Sequence, residues 1–277
     1  MDPLKPEDYE PIIRAGLQED APGGDITTLG IFGPDDSGEA ALIAKAPGVI
    51  AGLPVAARVF TTLDPDFIFS AEIADGERVT PGQRIAGLRG RVRALLTGER
   101  LALNLLQRMS GIATLAAAYV EAVKGLPVTI LDTRKTAPGL RALDKYAVRV
   151  GGATNHRATL SDLAMIKDNH LKLAGGIAAA VTRIRREKPG LRVEVETENL
   201  DDVGEALAAG ADIIMLDNMD LATMRSAVAR INGRARTEAS GNVRLDNVRA
   251  IAETGVDSIS IGALTHSVTA LDISLKA

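Results

Sequence analysis

Along this chain the spacing of apolar residues changes from two residues per repeat to helical spacing, and then alternates between the two. Between residues 40 and 93 the runs EAALIAKAPGVIAG, FIFSAEI and DGERVTPGQRIAGLRG alternate apolar and polar positions and are broken by glycine and proline. That pattern predicts strands and hairpins of a mostly antiparallel sheet. After Leu96 the apolar residues Leu101, Leu105, Met109, Ile112 and Leu115 fall at helical spacing, interrupted by Gly111. Thr97, followed by Glu99 and Arg100, reads as the start of that helix. Beyond it the apolar strands VTILD, AMIK, RVEVET, DIIMLD, RTEAS and DSISIG alternate with helix-like segments such as AGGIAAAVTRIRREK and LDDVGEALAAG. Strand ends recurring every roughly 20–35 residues are the mark of βα units in a parallel sheet or barrel.

What ends each strand is informative. VTILD ends in Asp132, with Arg134 and Lys135 just beyond; AMIK ends in Lys167; RVEVE ends in Glu196 and IIMLD in Asp217. RTEAS ends in Glu238 and Ser240, and SISIG in Gly262, with His266 following. In a parallel barrel these carboxyl ends meet on one face, where active sites are built. A chain leaving for solvent explains one or two polar strand ends. It does not explain charges after one apolar strand following another.

Length and composition narrow the chemistry. The 277 residues fit one barrel or two modest domains. Absence of cysteine excludes disulfides, thiolate chemistry and Cys-ligated zinc, and agrees with a reducing cytoplasm. The first residues, MDPLKPEDYEP, form no apolar signal region, and the apolar stretch 40–63 is broken by Lys45, Pro47, Pro54 and Arg58, so no membrane span is expected. The net charge of −4 and the lack of tryptophan disfavour nucleic acid, which calls for a basic face and aromatic stacking.

Against that acidic background, segment 132–170 gathers Arg134, Lys135, Arg141, Lys145, Arg149, Arg157 and Lys167, with His156 and His170. A cationic pocket suits a small, multiply anionic substrate. Arg141, Lys145 and Arg149, at i, i+4 and i+8, read as a solvated helix face and stay outside the expected site. Arg134 and Lys135 follow a strand and precede the turn residues Pro138 and Gly139; His156 and Arg157 follow Gly151 and Gly152 in a loop. An arginine fork holds a carboxylate bidentately, and lysine adds a point charge. Glu196 and Asp217 fit three roles: a general acid–base pair, ligands of Mg²⁺ beside a diphosphate, or helix N-caps. The turns EASGN and IGALTHS offer backbone N–H groups and the Ser240 hydroxyl to a phosphate.

Taken in order, EDAPGGDITT, TGERLALNLLQRMSGIAT, ILDTRKTAPGLRALDKYAVRVGG, NHR, MIKDNH, VEVE, IIMLDNM, EASG and GVDSISIGALTHS resemble the quinolinate phosphoribosyltransferase family over nearly the whole chain. The resemblance implies a glycosyltransferase (pentosyltransferase) of NAD biosynthesis. It would join quinolinate to phosphoribosyl pyrophosphate with Mg²⁺, releasing pyrophosphate and CO₂ and giving nicotinate mononucleotide. It implies an α/β fold: an N-terminal α/β sandwich domain, 1–97, and an incomplete seven-stranded TIM-like α/β barrel, 98–266, with segment 267–277 able to return to the first domain. It also implies a cytoplasmic homodimer with shared active sites and no nucleic-acid or membrane partner.

By the same resemblance Arg100, lent by the second subunit, joins Arg134, His156, Arg157 and Lys167 in binding quinolinate. Lys135, Glu196 and Asp217 are the catalytic set on the ribose and pyrophosphate, with Glu196 and Asp217 holding Mg²⁺ directly or through water. Ser240, Gly241, Gly262 and His266 take the 5′-phosphate. Two positions depart from the family pattern. Ala153 stands where a third glycine is usual, and Asn242 follows Gly241 where another glycine is usual, although asparagine tolerates positive φ. Rival readings are a class I aldolase-like barrel with Lys167 or Lys135 as Schiff base, a catalytically altered paralogue that binds a small anion, and a relative that takes nicotinate without decarboxylation.

Overall fold

The computed structural model describes residues 3–277. It begins with α1 (Pro6–Asp20) and α2 (Ile26–Ile31), the latter capped by Asp25, whose carboxylate accepts the amides of Thr27 and Thr28 at 3.1 Å each. Then come β1 (Ser37–Ala44), β2 (Gly48–Val49), α3 (Leu53–Leu63), β3 (Ile68–Ala71), β4 (Arg78–Val79), β5 (Arg84–Arg91) and α4 (Val92–Ala122). The next stretch contains β6 (Thr129–Leu131), α5 (Arg141–Val150), β7 (Ala164–Ile166), α6 (Asp168–Ala174) and α7 (Ile177–Glu187). It continues through β8 (Val193–Thr197), α8 (Leu200–Ala208), β9 (Ile213–Asp217), α9 (Leu221–Ile231), β10 (Arg236–Ser240), α10 (Val248–Ala252) and β11 (Ser258–Ser260). The chain finishes with α11 (Ala263–His266) and β12 (Ile273–Lys276). Among the described residues no helix is long and apolar enough to cross a membrane.

Contacts divide the chain into two units. One comprises Met1–Ala117, Thr136–Gly152 and Ala263–Ala277; the other comprises Ala118–Lys135 and Ala153–Gly262. A boundary at residue 97 would fall inside α4.

In the first unit the antiparallel sheet expected from period-two spacing has the order β12-β1-β5-β3. Alternation in β1 buries Ala40, Leu42 and Ala44 on one side. Helix α3 occupies a stretch where only strands were expected. Pro54 lies in its first turn, and Val55, Ala56, Val59 and Phe60 make a fully buried stripe, with the Phe60 ring stacked on Phe67 at 4.8 Å. Asp75 accepts the amides of Gly52 and Leu53 at 2.9 and 3.0 Å, closing the N-terminus of α3, and the Tyr146 hydroxyl donates to the same carboxylate at 2.8 Å.

Helix α4 starts at Val92 and not at Thr97, because β5 runs directly into it. Its Arg108 forms a bidentate pair with the fully buried Asp144, at 2.9 and 2.8 Å. The solvated face expected of α5 is not there: Lys145 is 4 % exposed, Arg149 is half-buried with its guanidinium 5.7 Å from the Tyr146 ring centre, and Arg141 bonds Thr136 Oγ1 at 3.1 Å.

In the second unit six parallel strands follow the order β6-β11-β10-β9-β8-β7. Thr154, in an isolated parallel bridge to Leu131, stands in the place of the seventh strand that the resemblance implied. The barrel is incomplete: among the described residues no ladder joins Thr154 to β7. Because side chains alternate across a strand, Val193, Val195, Ile214, Leu216 and Ala239 share one face, each 0 % exposed, and α7, α8 and α9 pack on these strands. Glu194, Glu196, Met215, Asp217, Glu238 and Ser240 share the other face in register. Parity alone therefore gathers the carboxylates on one side of the sheet.

Gly111 provides a test of packing in the first unit. A Cβ there would stand 2.2 Å from the carbonyl oxygen of Thr269, so the C-terminal segment passes too close for any side chain. We predict that Gly111→Ala destabilises the protein by about 1–3 kcal/mol in urea denaturation, even though alanine is the better helix former. Gly23→Ala, with nothing within 4 Å of its new Cβ, should be near neutral. Equal stabilities would mean that the segment does not lie against α4.

Candidate active site

The site grows from the carboxyl ends of the parallel strands. Asp132, fully buried just past β6, accepts the His156 amide and the Asn155 side-chain amide at 2.7 Å each. This strand-ending carboxylate thus anchors the loop after Thr154.

The loop delivers the His156 ring to two buried glutamates. Nε2 is 3.2 Å from Glu194 and 3.3 Å from Glu238, and the three side chains are 7, 0 and 2 % exposed. Burial disfavours the imidazolium, but hydrogen bonds and charge from the two carboxylates outweigh it and lift the pKa of His156 to about 9. Nδ1 accepts the Arg157 amide at 2.8 Å and so keeps a lone pair. The trio holds its extra proton as one coupled unit, and burial raises the pKa of Glu194. Spacing alone would admit a metal ion among these groups, their donor atoms lying within 4.8 Å of one another. The Nδ1 lone pair already accepts the Arg157 amide, and Nε2 lies within 3.3 Å of both carboxylates, although neither Glu194 oxygen receives a well-directed hydrogen bond.

Arg157 follows directly. Its guanidinium donates to the Leu163 carbonyl at 3.0 Å and to the Met165 sulfur at 3.4 Å. Burial and then the neighbouring Arg134 charge lower its pKa, with Glu194 and Asp162 opposing them. Arg134 Nε is buried without a hydrogen-bond partner. Two guanidiniums repelling one another, one with an unsatisfied buried N–H, make a strongly anion-seeking pocket.

At the other strand ends, Lys167 lies at the start of α6, where its amide donates to His170 Nδ1 at 3.0 Å, and its ammonium forms an ion pair with Glu196. That pairing engages the amine that a Schiff base would need free. Burial and the charge of Glu196 raise the pKa of Asp217, while the Asn218 hydrogen bond and Lys167 act in the opposite direction. Glu196 and Asp217 are not helix caps: Asn199 caps α8 and Asp220 caps α9. Ser240 pairs in register with Asp217, and Gly241 follows with φ +90°. Lys135 is exposed past β6, its amide donating to Thr133 Oγ1 at 3.1 Å, and Gly262 follows β11.

Of the residues expected from sequence, the structure brings Arg134 to Arg157, Lys167 to Glu196, and Asp217 close to Glu196 and Ser240. His156, expected on the dicarboxylate, has both ring nitrogens engaged inside the protein. Arg100 is exposed on α4 and His266 is exposed at the end of α11 with Nδ1 2.7 Å from Ser267 Oγ, both in the first unit. Sequence reasoning missed Glu194, Asn218 and the inward role of Glu238. The signal for the glutamates was parity: Glu194 precedes Glu196 by two residues, and Glu238 precedes Ser240 by two.

The family model described as quinolinate phosphoribosyl transferase, N-terminal domain, matches residues 25–110, and that for the C-terminal domain matches residues 112–276. The chain is similar to a probable nicotinate-nucleotide pyrophosphorylase (carboxylating) of Synechocystis sp., 49% identical over 271 residues, which cover 96% of this chain and 92% of that protein. It is similar to quinolinate phosphoribosyltransferase (decarboxylating) 1b of Nicotiana tabacum, 44% identical, with 97% and 82% covered. The crystal structure of NadC from Streptococcus pyogenes superposes with a TM-score of 0.96 at 44% identity, covering 100% of this chain and 98% of that one.

The buried trio makes stability depend on pH. A pKa raised from 6.5 to about 9 on folding contributes stability that is complete below 6.5 and is lost as pH rises through about 9. We predict that urea-denaturation free energy falls across that window in the wild type, and that His156→Gln flattens the slope. Parallel slopes would show that the trio holds no extra proton.

Proposed function

Because the chain belongs to the quinolinate phosphoribosyl transferase family and is a decarboxylating quinolinate phosphoribosyltransferase of NAD biosynthesis, we propose that its strand ends divide the reaction between a cationic half and a carboxylate half. The reaction joins quinolinate to the phosphoribosyl group of phosphoribosyl pyrophosphate, releases pyrophosphate and CO₂, and leaves nicotinate mononucleotide. The observation that carries the proposed division is the buried, unpartnered Arg134 Nε beside the Arg157 guanidinium. Two forks and the nearby lysine suit a ligand with two adjacent carboxylates.

In this reading Arg134, Arg157 and Lys167 hold quinolinate, with Arg100 contributed by the second copy of a homodimer. Lys167 leaves Glu196 for the substrate as the dicarboxylate enters. His156 serves from behind, through the bond between its ring and the Arg157 amide. The fixed ring orientation aims the pyridine nitrogen at the anomeric carbon. As pyrophosphate leaves, positive charge grows on the ribose, and Glu196 and Asp217 stabilise it electrostatically. Lys135 offsets charge on the departing pyrophosphate. Ser240, with the backbone at Gly241 and Gly262, takes the 5′-phosphate, and the reading gives His266 a share. The N-ribosylated ring is a pyridinium; electrons of the breaking C–C bond flow into it as CO₂ leaves, and the ring carbon then takes a proton from solvent.

Two close carboxylates, Glu196 and Asp217, the second raised in pKa by burial and then by the charge of the first, fit a hard divalent cation that relieves their repulsion. They would hold Mg²⁺ directly or through water. When bound, it supplies charge neutralisation at the pyrophosphate. The absence of cysteine supports a reducing, cytoplasmic setting.

Incubation with quinolinate, phosphoribosyl pyrophosphate and Mg²⁺ should yield nicotinate mononucleotide and CO₂ in equal amounts. Turnover of nicotinate in place of quinolinate, without CO₂, would overturn the substrate reading. Arg134→Ala or Arg157→Ala should raise the KM for quinolinate by about 10–100-fold, the loss of one charge-assisted contact, with little change in the KM for phosphoribosyl pyrophosphate. At low quinolinate, where each variant alone is impaired, mixing Arg100→Ala and Arg134→Ala proteins should restore part of the activity if Arg100 crosses to the other subunit. No recovery in verified heterodimers would remove the shared site.

A further inference from the structure

Asp217 accepts a hydrogen bond from Asn218 Nδ2 at 2.7 Å. An ionised carboxylate only accepts, so the Asn218 amide has a fixed polarity, with Nδ2 toward Asp217 and Oδ1 away from it. Oδ1 in turn accepts Asn242 Nδ2 at 2.9 Å, which fixes the second amide as well. Both asparagines sit in the left-handed region, at φ 53° and 52°. The backbone holds them there: the Asn218 amide donates to the Ser240 carbonyl at 2.9 Å, Asn247 Nδ2 donates to the Asn242 carbonyl at 3.0 Å, and the Arg244 amide donates to Asn247 Oδ1 at 2.8 Å. Asn218 also explains Gly241 sterically. A Cβ on residue 241 would lie 2.2 Å from Asn218 Oδ1, so the turn after β10 needs glycine for the amide to cross it.

We propose that Asn242 is a positioning residue that acts through Asn218 to aim the Asp217 carboxylate at the pyrophosphate end of the substrate. This rests on the assignment of Asp217 to that end of the reaction. Without the Asn242 donor the Asn218 amide loses its fixed orientation, and Asp217 is left to the pull of Lys167 and the push of Glu196. The turn after β10 then does more than expose backbone N–H groups to a phosphate: it sets a carboxylate on the neighbouring strand.

Two substitutions separate this role from turn formation. Asn242→Gly keeps the positive φ and removes the donor. Asn242→Asp keeps size and φ tolerance but can only accept, so it opposes Asn218 Oδ1. Both should raise the KM for phosphoribosyl pyrophosphate about 3–10-fold, with the KM for quinolinate and the Tm unchanged, and should weaken binding of inorganic pyrophosphate with Mg²⁺ by a similar factor in calorimetry. Unchanged KM and pyrophosphate affinity in both variants, beside an active wild type, would overturn the role of Asn242 and leave the parent assignment intact. Both KM values rising together with a lowered Tm would reduce Asn242 to a turn residue. A wild type that does not turn over quinolinate would sink the parent reading instead.

Discussion

The buried trio of His156, Glu194 and Glu238 is the constraint on which the second unit depends. Two carboxylates almost out of water would cost several kcal/mol each if left alone. The imidazole between them, and the proton they share, remove much of that penalty. Apolar side chains in their place would pack with less difficulty, but they would not hold the loop that carries Arg157. Asp132 secures the same loop through the His156 amide, so backbone and ring are fixed together. Glu194 also lies near enough to Arg157 to ease its repulsion from Arg134. The cationic pocket is thus supported by negative charge placed behind it.

Strand parity supplies the rest of the arrangement. With a side-chain period of two, one face of the parallel sheet is apolar and meets α7, α8 and α9, while the other carries a row of ionisable groups. Glu194 lies one layer deeper than Glu196, and Glu238 one layer deeper than Ser240. The deeper layer is buried and structural. The upper layer, at the strand ends, is half open and holds the residues proposed for the chemistry. This division by depth explains why carboxylates two residues apart on one strand serve different ends.

Much of this was legible in the sequence. The change of spacing after residue 96 separates an antiparallel sheet from a parallel one, and the charges at strand ends single out Arg134, Lys167, Glu196 and Asp217. What stayed hidden depends on partners far away in the chain. The spacing of Arg141, Lys145 and Arg149 correctly places them along one helix, but burial of Lys145 depends on what covers α5, and no local pattern encodes that. Asp144 reads as one more surface acid until Arg108, 36 residues earlier, reaches it. His156 beside Arg157 looks like a ligand pair; only the strands bearing Glu194 and Glu238 turn its ring inward. Helix α3 was overlooked because glycine and proline around it are equally good signals for a hairpin.

The most direct measurement of the central claim is the protonation of the two His156 ring nitrogens, followed by ¹⁵N NMR through a pH titration. The trio should hold its proton past neutrality, so the ring should show no titration near the ordinary histidine value and should change only as the pH approaches about 9. A ring that titrates near the ordinary value would contradict the buried trio and remove its support from the Arg134–Arg157 pocket.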